Sequence, residues 1–65
     1  MILKIKHKKG FYVNREFLSF NAKENNVDIV NFSAHSDSPN HIVEDWEAIY
    51  ILDGNGETID TIRKD

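Results

Sequence analysis

The stretch Asp53-Gly54-Asn55-Gly56 constrains this chain more than any other. It sits between Glu47-Ala48-Ile49-Tyr50-Ile51-Leu52 and Glu57-Thr58-Ile59-Asp60-Thr61-Ile62. Asp-Gly and Asn-Gly supply the positive φ angles that tight hairpin turns require. The C-terminal third is therefore expected to be a β-hairpin. Ile49 and Ile51 share one face of its first strand, and Trp46, Ala48, Tyr50 and Leu52 the other. Apolar residues on both faces predict a central strand covered on both sides.

A two-residue period recurs upstream. In Ile2-Leu3-Lys4-Ile5-Lys6-His7-Lys8, one face carries Leu3, Ile5 and His7, and the other Ile2, Lys4, Lys6 and Lys8. That is the pattern of a half-buried strand. Lys9-Gly10 reads as a turn. Phe11-Tyr12-Val13 starts a second strand that Asn14-Arg15 breaks or bends. In Glu16-Phe17-Leu18-Ser19-Phe20-Asn21-Ala22, Leu18, Phe20 and Ala22 share a face. Lys23-Glu24-Asn25-Asn26 is a polar turn whose asparagines tolerate left-handed backbone. Residues 27–32 are apolar and β-branched, as in a strand. Ser38-Pro39 fits a helix N-cap followed by the first helical position. Ile42, Val43, Trp46, Ile49 and Tyr50 would then form one helical stripe. The hairpin needs 48–52 extended, so at most one short helical turn is expected, near 39–46. The chain thus reads as mainly β, a single domain over 1–65. The expected form is a small antiparallel sheet or barrel of about five strands, a meander, SH3-like or similar. Closure would hide edges that so small a sheet cannot otherwise protect.

A chain of 65 residues makes one domain at most. At that size folding removes only about 60% of the unfolded chain's surface from water, which leaves little room for a deep cleft. There are no cysteines. Disulfide staples, cysteine zinc sites and thiol catalysis are thereby excluded, and a reducing, intracellular setting is favoured. The N-terminus alternates charged and apolar residues and lacks the apolar core of about 7–15 residues that a signal peptide needs. No segment approaches the ~20 apolar residues of a membrane span. The expectation is a whole small cytoplasmic protein with no targeting segment and no membrane contact.

The net charge is −3, unevenly spread. Residues 1–26 balance at +4, 27–43 at −2 and 44–65 at −5. The plainer reading is neutralisation between paired strands of opposite charge. The functional reading is a basic face and an acidic face with different partners.

Chemistry-bearing residues are few. Ala34-His35-Ser36-Asp37-Ser38-Pro39-Asn40-His41 holds metal-ligand types in His35, Asp37 and His41, but a metal needs at least three ligands converging within about 2–2.3 Å. Across a loop that spacing predicts no convergence, and a solvated loop capped by Asp37 or Ser38 is the plainer reading. Ser36 beside His35 and Asp37 is not a triad, because a triad is aligned by the fold and not by adjacency. Glu44, Asp45 and Glu47 lie too close in sequence to be two opposed carboxylates about 5–9 Å apart. No phosphate-binding glycine loop is present. No enzyme, cofactor or metal is therefore expected.

Two binding surfaces come forward. Trp46 and Tyr50 among Glu44, Asp45 and Glu47 would anchor and steer a basic protein partner; alternatively Trp46 is simply the largest core residue. Lys4, Lys6, Lys8 and Lys9 with Tyr12, and Phe11 beside it, supply phosphate contacts and base stacking. A lysine-rich first strand is also a guard against edge aggregation. The first reading makes the protein a small intracellular interaction module, a regulator or inhibitor that binds a protein. The Asn-, Ile- and Lys-rich composition fits an AT-rich genome, and free-standing proteins this small are common in phages and mobile elements. The alternative is a small nucleic-acid-binding β-barrel that uses the basic N-terminal strand. The oligomer is expected to be a monomer or an edge-paired homodimer.

Overall fold

The computed structural model of the chain describes residues 1–31 and 41–64. These form seven strands, and among the described residues there is no helix. The strands are β1 (Ile2–His7), β2 (Tyr12–Glu16), β3 (Ser19–Ala22), β4 (Asn26–Val30), β5 (His41–Glu44), β6 (Trp46–Leu52) and β7 (Thr58–Arg63). They make two antiparallel sheets, one in the order β2-β1-β6-β7 and the other β3-β4-β5. The all-β antiparallel class read from the sequence holds. The sheets do not join into a closed barrel.

Strand number exceeds expectation because the chain twice bends from one sheet into the other. The first bend is at Phe17-Leu18 and not at Asn14-Arg15, which continue β2. There the Phe17 N–H donates to the Met1 carbonyl at 3.4 Å and the Leu18 N–H to that of Val30 at 2.7 Å. Leu18 sits on the outside of the bend, exposed, while Phe20 and Ala22 turn to the core. The second bend is the single residue Asp45, with φ 54°. Its N–H donates to the Asn25 carbonyl at 2.8 Å, and its own carbonyl accepts from the Lys8 N–H at 2.9 Å. The helical stripe through Ile42, Val43 and Trp46 does not form. Val43 pairs with Val27 across β5 and β4 and is buried, while Ile42 is exposed, a two-residue period. Residues 39 and 40 lie outside the described residues.

Two hairpin loops share one design. In His7–Phe11 and in Asp53–Glu57 the first N–H donates to the last carbonyl, at 2.8 and 2.9 Å. The glycine N–H (Gly10, Gly56) donates back to the first carbonyl, at 2.9 and 3.1 Å. Each glycine has positive φ, 98° and 83°. Each first side chain caps its loop: His7 Nδ1 accepts from the Lys9 N–H at 3.1 Å, and Asp53 Oδ1 from the Asn55 N–H at 2.9 Å. This is a turn closed by a left-handed glycine, which suits the twist of the flanking strands. The Lys23–Asn26 turn is closed by the Lys23 N–H on the Asn26 carbonyl at 2.7 Å, and its asparagines do not take positive φ.

The core lies between the sheets. Leu3, Ile5, Ile49 and, next to the bend, Trp46 come from the four-stranded sheet, and Val27, Ile29 and Val43 from the three-stranded one. Phe17 and Phe20 meet edge to face at 5.4 Å beside this cluster.

Backbone handedness, not space, restricts three positions. A Cβ at Gly10 or Gly56 would meet nothing within 4 Å. Gly10→Ala and Gly56→Ala are nevertheless expected to destabilise by about 1–2 kcal/mol each, the cost of a left-handed L-residue. Gly54→Ala, without a positive φ, should have a smaller effect. Asp45→Val should cost about 1–3 kcal/mol, whereas Asp45→Asn should be tolerated. Denaturant midpoints at unchanged slope check this ordering; equal effects at Gly54 and Gly56 would contradict it.

Candidate binding face

Strand register determines which side chains share the outer face of the four-stranded sheet. Directly opposed residues of antiparallel strands point the same way. Leu3 and Ile5 point inward, so Ile2, Lys4 and Lys6 point outward. The pairings then give three rows across β2, β1, β6 and β7. They run Glu16–Ile2–Leu52–Thr58, Asn14–Lys4–Tyr50–Thr61 and Tyr12–Lys6–Ala48–Arg63. The second sheet covers only the inner face, so among the described residues β6 is central but not covered on both sides as expected.

Cations and aromatic rings alternate across these four strands. Lys4 Nζ lies 4.7 Å from the centroid of the Tyr12 ring. Lys4 also stands opposite Tyr50, and Arg63 Cζ lies 5.8 Å from the Tyr50 centroid. The order is Tyr12, Lys4, Tyr50, Arg63, one from each strand. Cation–π contacts at such exposed sites are worth only about 0.5–1 kcal/mol, so the rings and cations are cheaply separated. Among the described residues Lys4 and Arg63 pair with no carboxylate. Lys6 Nζ meets Glu47 Oε2 at 3.4 Å, with both side chains substantially exposed. Glu16 at one corner is the one acid in the three rows.

Two β-bulges decide what reaches this face. Lys6 pairs with Ala48 but His7 pairs with Trp46, so Glu47 is an extra residue in β6. Such an insertion reverses the inward–outward alternation beyond it. Trp46 thereby joins the inward set of Leu3, Ile5 and His7, at 4% exposure. Its indole N–H donates to the Lys23 carbonyl at 2.7 Å. In β7, Ile51 pairs with Asp60 but Leu52 with Thr58, so Ile59 is extra. That shift sets Ile62 opposite Ile49 in the core and Arg63 opposite Ala48 on the outer face.

The residues expected to bind a protein therefore do not form one surface. Glu44, Asp45 and Glu47 are exposed around the bend, Trp46 is core, and Tyr50 lies on the outer face between Lys4 and Arg63. Of the basic set, Lys4, Lys6 and Tyr12 share the outer face. Lys8 and Lys9 stand in the β1–β2 loop, and Phe11 stacks on His7 at 4.3 Å. Tyr50 and Arg63 join the basic set only through strand pairing and the Ile59 bulge. Of His35, Asp37 and His41, only His41 falls within the described residues, where its Nε2 accepts from Arg15 Nε at 2.9 Å. Among the described residues no helix is long and apolar enough to cross a membrane. Comparisons with protein-family models, with curated proteins and with solved structures find no match for this chain.

If Lys6 is available to a ligand, its ion pair with Glu47 must be weak. A double-mutant cycle of Lys6→Ala and Glu47→Ala is expected to give a coupling of about 0.2–1 kcal/mol, as for exposed pairs. A coupling above about 2 kcal/mol would mean that the pair holds Lys6 in place and withholds it from a ligand.

Proposed function

We propose that this protein is a non-enzymatic module that binds single-stranded nucleic acid on the outer face of its four-stranded sheet. The supporting observation is the Tyr12–Lys4–Tyr50–Arg63 alternation, flanked by Lys6. Bases stack on exposed aromatic rings while ammonium and guanidinium groups neutralise phosphates. Arg63 adds the planar guanidinium that stacks on bases as well as contacting phosphate. The net charge of −3 argues against broad attraction to duplex DNA and favours recognition confined to this face. A chain without cysteine that binds nucleic acid fits an intracellular, cytoplasmic setting.

Fluorescence anisotropy with labelled single-stranded RNA and DNA tests the reading. Tyr12→Ala or Tyr50→Ala should weaken binding by about 5- to 150-fold per lost stack. Lys4→Ala with Arg63→Ala should lower the slope of log K against log salt by about 0.7 per contact removed. Thermal melts confirm that the variants are folded. Affinity that ignores both tyrosines and both cations would end the proposal.

A second reading rests on the edge strand β5. Ile42 is 53% exposed there, beside Glu44 and the bend residue Asp45. A groove of about 370 Å³ lies alongside, lined in part by Phe11, Val13, Arg15 and Val43. An extended segment of a basic protein partner would pair with the β5 edge, with the chain acting as a regulator or inhibitor. Capture from nuclease-treated lysate should then recover a stoichiometric protein with the native chain and lose it with Ile42→Lys. Recovery of no such protein, or equal recovery by both chains, removes this reading.

A further inference from the structure

A second basic feature lies at the end of the four-stranded sheet where Trp46 enters the core. Lys8, Lys23 and Lys64 line an open depression of about 500 Å³ together with Ala22, Trp46 and the turn residues Glu24 and Asn25. Three separate parts of the chain bring the lysines together: the β1–β2 loop, the β3–β4 turn and the residue after β7. Lys64 Nζ lies 4.5 Å from the Trp46 ring centroid. Lys23 Nζ is held at 2.7 Å by Asp28, while its carbonyl takes the indole N–H. Among the described residues Lys8 and Lys64 meet no carboxylate. In a chain with eight basic residues and a net charge of −3, this concentration of ammonium groups is out of proportion.

We propose that the depression binds a phosphate monoester. Such a group carries about 1.5–2 negative charges near pH 7 and three strong acceptor oxygens. It suits two ammonium groups that meet no carboxylate among the described residues, and a third shared with Asp28, better than the single charge of a backbone diester does. Glu24 limits the net positive charge of the rim, so the match is to one compact dianion and not to an extended polyanion. The Lys64 ammonium leaves the indole face to meet the phosphate, exchanging a weak cation–π contact for a charge-assisted hydrogen bond. Two sources share this chemistry: the terminal phosphate of a strand lying on the outer face, and a free small phosphate ester. The inference rests on the proposed strand-binding function only for the first source. Arg63 on the outer face and Lys64 at the depression are consecutive and point opposite ways, so a strand end on the outer face would reach the depression by passing around the end of β7.

Trp46 is the only tryptophan, so its emission reports on the site directly. The first arm titrates the full chain with inorganic phosphate against sodium chloride at matched ionic strength. A saturable change in emission is expected with phosphate alone, and Lys8→Ala should weaken it about tenfold or more, as for loss of one charge-assisted hydrogen bond. The second arm compares oligonucleotides with a terminal phosphate and with a terminal hydroxyl by anisotropy. A preference for the phosphorylated end that Lys8→Ala abolishes assigns the strand source. A phosphate response with no oligonucleotide binding of either kind assigns the free ester and removes the strand-binding function. No phosphate response, together with equal binding of both oligonucleotides, overturns this inference and leaves the outer-face function standing.

Discussion

The structure depends on the bend at Asp45. This one residue carries the chain from the three-stranded sheet into the four-stranded one. Both of its backbone hydrogen-bonding groups are used, one on the β3–β4 turn and one on the β1–β2 loop. A left-handed residue whose N–H and C=O tie three chain segments together leaves little freedom in how the sheets meet. With the sheets held so, Val43 and Trp46 on either side of the bend both reach the core. The opposite bend at Phe17-Leu18 does the same with ordinary backbone, bonding to Met1 in one sheet and Val30 in the other. Two bends thus take the place that a longer chain gives to crossover connections.

Among the described residues the same economy leaves a sheet face open. Two layers can cover only two inner faces, and among the described residues no third layer lies over the outer face of the four-stranded sheet. The outer face of the four-stranded sheet carries Ile2, Ala48 and Leu52 as well as the two tyrosines. Lysine and arginine stems lie over such apolar surface with their charged heads in water. Lys4, Lys6 and Arg63 therefore shield the face in the free protein. A stacked base would substitute for the stems and leave the charged heads to meet its phosphates, so the residues that lie over the face in the free protein are the ones proposed to bind.

Most of the architecture is legible in the sequence, because period-two alternation and glycine turns act locally. The Asp53–Glu57 loop and the inward Leu3 and Ile5 follow from those signals. The His7–Phe11 loop is half legible: Gly10 marks it, but the imidazole of His7 stands where the other loop has the carboxylate of Asp53. The bends are less visible. Asp45 carries no glycine signal, and the stretch around it also fits a helical stripe, so local patterning alone does not choose between helix and strand there. Pairing with β4 settles it, and that is a tertiary interaction.

The binding face shows most plainly where local reading ends. Charge counted along the chain makes the first third basic and the last third acidic, yet strand order sets β1 beside β6 and brings Arg63 to the basic face. Two inserted residues then reassign the faces. If β6 kept strict alternation, Trp46 would stand outside with Ala48 and Tyr50. If β7 kept it, Ile62 would replace Arg63 on the outer face, and Arg63 would turn toward the core. Each bulge trades an apolar side chain outside for one inside, which is the direction that core packing favours. Burial of Trp46 and Ile62 is thus sufficient to explain why the bulges exist. Arg63 takes its place in the tyrosine–cation alternation through the β7 shift, so the packing that buries Ile62 also completes the face proposed to bind.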